Sequence, residues 1–265
     1  VIRGRSRAGA PLALAALAAV ALAGCGAASL PPPAASQAAT APAVTPMPAG
    51  TYTSLNFQPA VTFTVPEGWV VAQDAPLYLS LQPADNDLIG IHIFRDPKAA
   101  SQDPTCPAAP EPGVGGTSSE LSAWIRGRPG LTVSNPAMAT IGGLPGVSLD
   151  LGLKSGWTAA CPFANGSPSV PLFNSSAIDH WVVVGNERLR AYLVDLPGGG
   201  TVVVDLDAFE GDQIEGLISR SGGIVRSLKF APVEASAAPA AASASAAPAS
   251  VAPSAASAAP ASTAP

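Results

Sequence analysis

Arg188-Leu189-Arg190-Ala191-Tyr192-Leu193-Val194-Asp195-Leu196, then Pro197-Gly198-Gly199-Gly200, then Thr201-Val202-Val203-Val204-Asp205-Leu206-Asp207-Ala208-Phe209, read as two β-strands folded back on each other. Aliphatic and β-branched residues recur along both arms, and the proline and three glycines between them mark a turn. If the four residues Pro197–Gly200 close the hairpin symmetrically, Leu196 faces Thr201, which counts back to Arg190 opposite Asp207 and Tyr192 opposite Asp205. An exposed Arg–Asp pair of this kind contributes under about 1 kcal/mol but helps to set register. With Trp181–Val184 and the Gly185-Asn186 turn in front, the segment is expected to form a three-strand meander.

The same period of two recurs upstream. Val61-Thr62-Phe63-Thr64-Val65 alternates apolar and polar residues, pauses at Pro66-Glu67-Gly68 and resumes at Trp69-Val70-Val71. Leu77–Leu81 and Ile89–Phe94 repeat it, as do Met138–Ile141 and Val147–Leu153 on either side of Gly142-Gly143-Leu144-Pro145-Gly146. Two segments carry helical spacing instead. Thr117-Ser118-Ser119-Glu120 is a capping box ahead of Leu121, Trp124 and Ile125, with Gly127 and Pro129 as stops. Asp212 is placed to cap a second helix with Ile214, Leu217 and Ile218 on one face, ending at Gly222-Gly223; Ile224–Phe230 follows as a terminal strand or helical extension. About eight strands with two helices give an α+β fold with a mostly antiparallel sheet.

Three short motifs, Phe63-x-x-Pro66-x-Gly68-Trp69, Ile141-Gly142-Gly143-Leu144-Pro145-Gly146 and Ile224-Val225-x-Ser227-Leu228-x-Phe230, resemble the PsbP-like family across most of Phe57–Ala231. The resemblance implies a PsbP-like α/β/α sandwich, a fold found in photosystem II extrinsic subunits and in bacterial lipoproteins. It brings no catalytic set with it. The two cysteine-bearing loops depart from the family pattern, so it names no partner either.

The ends of the chain speak about location. Arg3, Arg5 and Arg7 precede an apolar run from Pro11, which closes on Leu22-Ala23-Gly24-Cys25. Charge, apolar stretch and small residues make residues 1–24 a secretory signal peptide, and the run is too short to span a bilayer. The cysteine after Gly24 resembles the bacterial lipobox, which implies cleavage before Cys25 and a diacylglyceryl anchor; two acyl chains hold where one binds marginally. The expected location is the cell membrane, lipid-anchored on the extracytoplasmic side. Residues 25–50 are an Ala/Pro-rich tether, 51–232 a single α+β domain, and 233–265 an Ala/Pro/Ser-rich tail with too little to bury to offset ordering. Removing residues 1–24, with three arginines and no acid, takes the formal charge from −5 to −8. That balance repels phosphate backbones and excludes nucleic acid as a partner, so membrane attachment rests on the lipid.

With Cys25 lipidated, Cys106 and Cys161 remain as an even pair in an oxidising compartment, and a disulfide between them is expected. Closing roughly 55 residues is worth up to about 4 kcal/mol on the chain-entropy argument. Neither cysteine has the paired spacing of a zinc site, so no metal is expected, and no cofactor motif is present. The bridge would staple two long irregular segments, Asp96–Gly116 and Lys154–Asp179, into one projecting surface. Trp157, Phe163 and Phe173 there are candidate binding residues for an envelope protein, a glycan or a small apolar ligand, against the plainer alternative of a satellite core. His92 and His180 read as ordinary strand residues, and Gly146-Val147-Ser148 lacks the second glycine of a nucleophile elbow. Gly113–Gly116 is a loop without a phosphate-binding lysine. Asp85 and Asp87 flank Asn86 in a turn without the calcium-loop glycine, while Asp205 and Asp207 share a strand face where Arg190 and Tyr192 engage them. The expectation is a non-catalytic surface binding module, not an enzyme. The alternative is an envelope hydrolase using those acids.

Overall fold

The computed structural model describes residues 45–232. The segment expected to be a signal peptide, Cys25, most of the expected tether and the expected tail lie outside the described residues.

The strands are β1 (Gly50–Thr53), β2 (Val61–Val65), β3 (Trp69–Ala75), β4 (Tyr78–Pro83), β5 (Ile89–Arg95), β6 (Lys98–Ala99) and β7 (Leu131–Val133). They continue with β8 (Ala137–Ile141), β9 (Leu144–Leu153), β10 (Ser169–Ser175), β11 (Ile178–Val184), β12 (Arg188–Asp195), β13 (Thr201–Ala208) and β14 (Lys229–Phe230). The helices are α1 (Ser118–Arg126) and α2 (Ile214–Ser227). Eight strands form the central sheet in the order β3-β4-β5-β13-β12-β9-β7, with β8 also on β9, every pairing antiparallel. Two three-stranded sheets, β1-β2-β14 and β11-β10-β6, lie outside it. The result is an α+β sandwich with two helices, as the alternating runs predict.

Pleating sorts the side chains onto the two faces of the central sheet. Leu79, Leu81, Ile91, Ile93, Val202, Val204 and Leu206 pack with Leu217 and Ile224 of α2 and with Val61 and Phe63 of β2. Their strand neighbours Tyr78, Phe94, Val203, Leu189, Ala191 and Leu193 point the other way, to Leu121, Trp124 and Ile125 of α1 and to Val170, Leu172, Phe173 and Val183 of β10 and β11. The helix ends follow their chemistry. Thr117 Oγ1 accepts from Glu120 N–H at 3.2 Å while Glu120 accepts from Thr117 N–H at 3.1 Å, the reciprocal pair the capping box predicts.

Several expectations are corrected. Asp195, not Leu196, faces Thr201, so the hairpin turn holds five residues. Leu196 leaves the ladder because it is buried under the α2 face, 5 % exposed, and three successive glycines at φ +90°, +105° and +88° accommodate the wider turn. Every partner moves by one: Arg190 faces Leu206, Tyr192 faces Val204, Asp205 faces Ala191 and Asp207 faces Leu189. The meander is also broken, since β11 pairs with β10 in the outer sheet and the neighbour of β12 is β9. Gly185, at φ +59°, carries the chain from one layer to the other.

Lys154–Asp179 is not irregular throughout, because it contains β10, disguised by Pro171 and interrupted by register shifts beyond it. Asp96–Gly116 contains β6. Asp212 makes no cap; a 3₁₀ turn, Gly211–Gln213, leads into α2 without a capping side chain. Nor do Gly222 and Gly223 end α2, which continues to Ser227 because Ser221 and Ile224, both 0 % exposed, are packed against the sheet.

Candidate functional site

The register of the long hairpin decides where its acids go. β13 sends Val202, Val204 and Leu206 to the α2 face and Val203, Asp205 and Asp207 to the other, where β11 lies across the central sheet. Arg190 does not meet Asp207; it forms a bidentate pair with Asp150, its neighbour on β9. Tyr192 packs at the apolar core under α2. The engagement expected for Asp205 and Asp207 is therefore absent, and they enter a polar seam instead.

Across this seam, Trp181 of β11 donates its Nε1–H to Asp205 Oδ2 at 2.8 Å. Its ring centroid stands 4.5 Å from that of His92, the residue facing Asp205 on β5, and 5.0 Å from that of Phe94. Tyr78 Oη lies 2.7 Å from His92 Nδ1, and His92 Nε2 lies 3.8 Å from Asp207 Oδ2. With the ring neutral, the phenol donates to Nδ1 and the N–H sits on Nε2, facing Asp207 at a distance too long for a hydrogen bond. Gly90 makes room for that ring: a Cβ there would stand 2.9 Å from Nε2 and 3.1 Å from the Leu81 carbonyl oxygen. Glu187, in the turn before β12, accepts from Val184 N–H at 2.7 Å and shares a hydrogen bond with Asp207.

Burial sets the electrostatics. Asp205 is 0 % and Glu187 6 % exposed, while the side chains of His92 and Asp207 keep 17 % and 15 %. Desolvation first, and then the charge of Asp207, hold Asp205 well above the ordinary carboxyl range against the Trp181 bond. The same two causes and its hydrogen bond to Asp207 raise Glu187. Burial pushes Asp207 up to about 6, opposed by the bond from Glu187, and pushes His92 down to about 3. The arrangement is a neutral histidine with carboxyl groups that hold protons near neutral pH, Glu187 donating to Asp207. Among the described residues no lysine or arginine pairs with these three carboxyls. Asp205 Oδ1 and Asp207 Oδ1 are both buried without a hydrogen-bond partner. Among the described residues no three His, Cys, Asp or Glu side chains are arranged to hold a metal ion.

The other candidates fall elsewhere. Cys106 and Cys161 are joined, with Cα atoms 5.6 Å apart. Around them Ala164 and Phe163 form a small satellite core, and Phe163 stacks on His180 with centroids 4.2 Å apart. Trp157 is half-buried, its Nε1–H bonded to the Ser169 carbonyl oxygen at 3.1 Å and its ring beside Gly130. Phe173, expected on a loop surface, is 1 % exposed inside the second core, because β10 points it at Phe94. The three aromatics do not make one surface. Asp85 pairs with Arg220, and Asn86 Oδ1 accepts from Leu88 N–H at 3.0 Å in the turn the sequence predicts. The seam itself was missed at the sequence level. Its signal lay in His92 and Asp205 at mid-strand, and only a correct register joins them.

Fold and site together define an antiparallel α+β sandwich with an ionisable seam under one outer sheet. No family model matches the chain, and no curated protein matches it in sequence. Among solved structures it is similar to cyanobacterial PsbP (CyanoP) from Synechocystis sp. PCC 6803, at 11 % identity over 70 % of this chain and 95 % of that one, with a TM-score of 0.37. It is also similar to a protein from Bacteroides thetaiotaomicron VPI-5482, at 8 % identity over 65 % of this chain and 46 % of that one, with a TM-score of 0.32.

Proposed function

We propose that this chain is an envelope lipoprotein of PsbP-like type, anchored through Cys25, whose domain binds a small ligand without catalysis at the seam of β5, β13 and β11. The observation that carries this reading is the pair of buried carboxylate oxygens without partners, Asp205 Oδ1 and Asp207 Oδ1, behind side chains that still touch solvent. A folded protein leaves such groups unpaired only at a cost, and clusters with displaced ionisation mark functional sites. The disulfide fits export, and the lipobox fits an anchor.

The rival is an envelope hydrolase drawing on the same raised carboxyls. Its histidine is poorly placed for that work. Ser80 faces His92 across the β4–β5 ladder, yet His92 Nδ1 is engaged by Tyr78, and the ring is neutral with little tendency to take a proton. Chemical-shift mapping of the exported protein against fractionated envelope lipids and metabolites tests the reading. Shifts at the Trp181 indole N–H and the His92 ring support it; shifts confined to Phe163 and His180 move the site to the stapled loops. Turnover abolished by Asp207→Asn would replace binding with hydrolysis. Fractionating cells that express Cys25→Ser tests the anchor, since unchanged membrane retention would remove it.

A further inference from the structure

The mouth of the seam has a second chemical character. Past Asp207 the β13 ladder runs one step further, Phe209 N–H bonding to the Leu88 carbonyl oxygen at 3.0 Å. Phe209 is two residues beyond Asp207, so the alternation sets it on the same face, and it is 47 % exposed beside Leu88 at 49 %. Gly90, facing Asp207 on β5, adds no side chain of its own, and the edge of the His92 ring takes the space a Cβ there would fill. An apolar rim thus borders an acidic floor of Asp207, Glu187 and, deepest, Asp205, whose carboxylate spans the seam to Trp181 and keeps Oδ1 unpartnered at 0 % exposure.

The groups facing this floor are Tyr78 and Ser80 from β4, His92 from β5, Trp181 and Val183 from β11, and Leu189 and Ala191 from β12. None supplies a positive charge at neutral pH. Arg188, adjacent to Glu187, belongs to the opposite face with its ladder partner Ala208. The floor therefore has acceptors in excess and lacks a cation with N–H donors; with no trio of side chains set to hold a metal among the described residues, an ammonium group fits it better.

Resting on the seam being a binding site, we infer that its ligand is an amphipathic primary amine, the ammonium meeting the part-exposed Asp207 carboxylate at the edge of the seam and the apolar body lying on Leu88 and Phe209. The ammonium donates to acids that otherwise hold protons. Where Asp207 holds a proton, below about pH 6, binding releases it to the buffer, and acid competes with the ligand.

Titration calorimetry of the full exported chain with n-octylammonium chloride, in two buffers of different protonation enthalpy, tests this, with the Trp181 indole N–H followed by NMR. The expected result is saturable binding, with net proton release at pH 5 that fades by pH 7.5, and about tenfold weaker at pH 5 than at pH 7.5 because a group near 6 must give up its proton. Asp207→Asn is expected to weaken binding about tenfold or more, the size of a lost bond to a charged group, and to abolish the pH dependence. Phe209→Ser, at an exposed position that does not threaten folding, is expected to weaken it about fivefold, as loss of an apolar contact does. Equal binding of n-octanol or octanoate that still shifts Trp181 would overturn the amine while keeping the site. Proton-releasing binding of Ca²⁺ or Mg²⁺ alone would likewise overturn the amine in favour of a metal. Failure of every probe to shift Trp181 would overturn both the amine and the seam.

Discussion

The two faces of the central sheet are built from the same strands and differ in what they bury. Along β13, Val202, Val204, Leu206 and Ala208 face α2 at 0–1 % exposure, in a core of apolar side chains that buries no charged group. One residue out of phase, Val203, Asp205 and Asp207 face the outer sheet, where Asp205 is as inaccessible as any valine. The first face gains free energy from apolar burial. The second gives some of it up, since burying carboxyls costs unless they are protonated or fully bonded. Chemistry on this fold belongs to the face that tolerates that cost.

The sharpest way to break the comparison is to move an acid across the sheet. Val204→Asp, one position from a natural buried aspartate, has neither tryptophan nor partner acid to meet it and is expected to cost 4 kcal/mol or more, on the order of a buried unpaired charge. Circular dichroism should find no cooperative unfolding; a folded Val204→Asp protein would show the faces to be equivalent. Next in size, replacing Cys106 and Cys161 together by alanine should cost about 2–4 kcal/mol in denaturant midpoint, because a 55-residue separation is freed in the unfolded chain. The Trp181 signal should persist, since the bridge lies outside the seam.

Asp207→Asn has the opposite sign. An acid raised to about 6 binds more protons folded than unfolded, so its penalty is absent below the ordinary carboxyl range near 4 and grows as pH rises through about 6. The variant should be more stable than the parent by about 3 kcal/mol at pH 8 and no different at pH 3. His92, lowered from 6.5 to about 3, works the other way and costs stability as pH falls through that window. Asp207→Asn leaves this loss unopposed and should destabilise more steeply than the parent between pH 6.5 and 4 in thermal melts. The smallest effect belongs to the helix cap: Thr117→Ala should cost about 1 kcal/mol by chemical denaturation and leave the seam untouched.

Legibility in the sequence followed the range of the interactions. α1 was readable because a capping box and three apolar residues at helical spacing are local. The alternating strands were readable for the same reason, and the disulfide followed from an even pair of cysteines. β10 was hidden by Pro171, and the far end of α2 by two glycines that packing overrides. The seam was lost to a single residue of register. A symmetric turn brought Arg190 to Asp207 and made the acids look neutralised, whereas burial of Leu196 widens the turn and gives Arg190 to Asp150. Phe173 failed similarly, since a phenylalanine in an apparent loop becomes core once its strand is placed.

The central claim, that Asp205 and Asp207 of β13 and the adjoining Glu187 form a buried acid cluster that holds protons on one face of the sheet, is most directly tested by a ¹³C carboxyl titration of the protein with Glu187, Asp205 and Asp207 assigned. The account predicts that Asp207 titrates near 6 and that Asp205 and Glu187 remain protonated well above the ordinary carboxyl range. Three ordinary titrations, each complete by about pH 5, would contradict it.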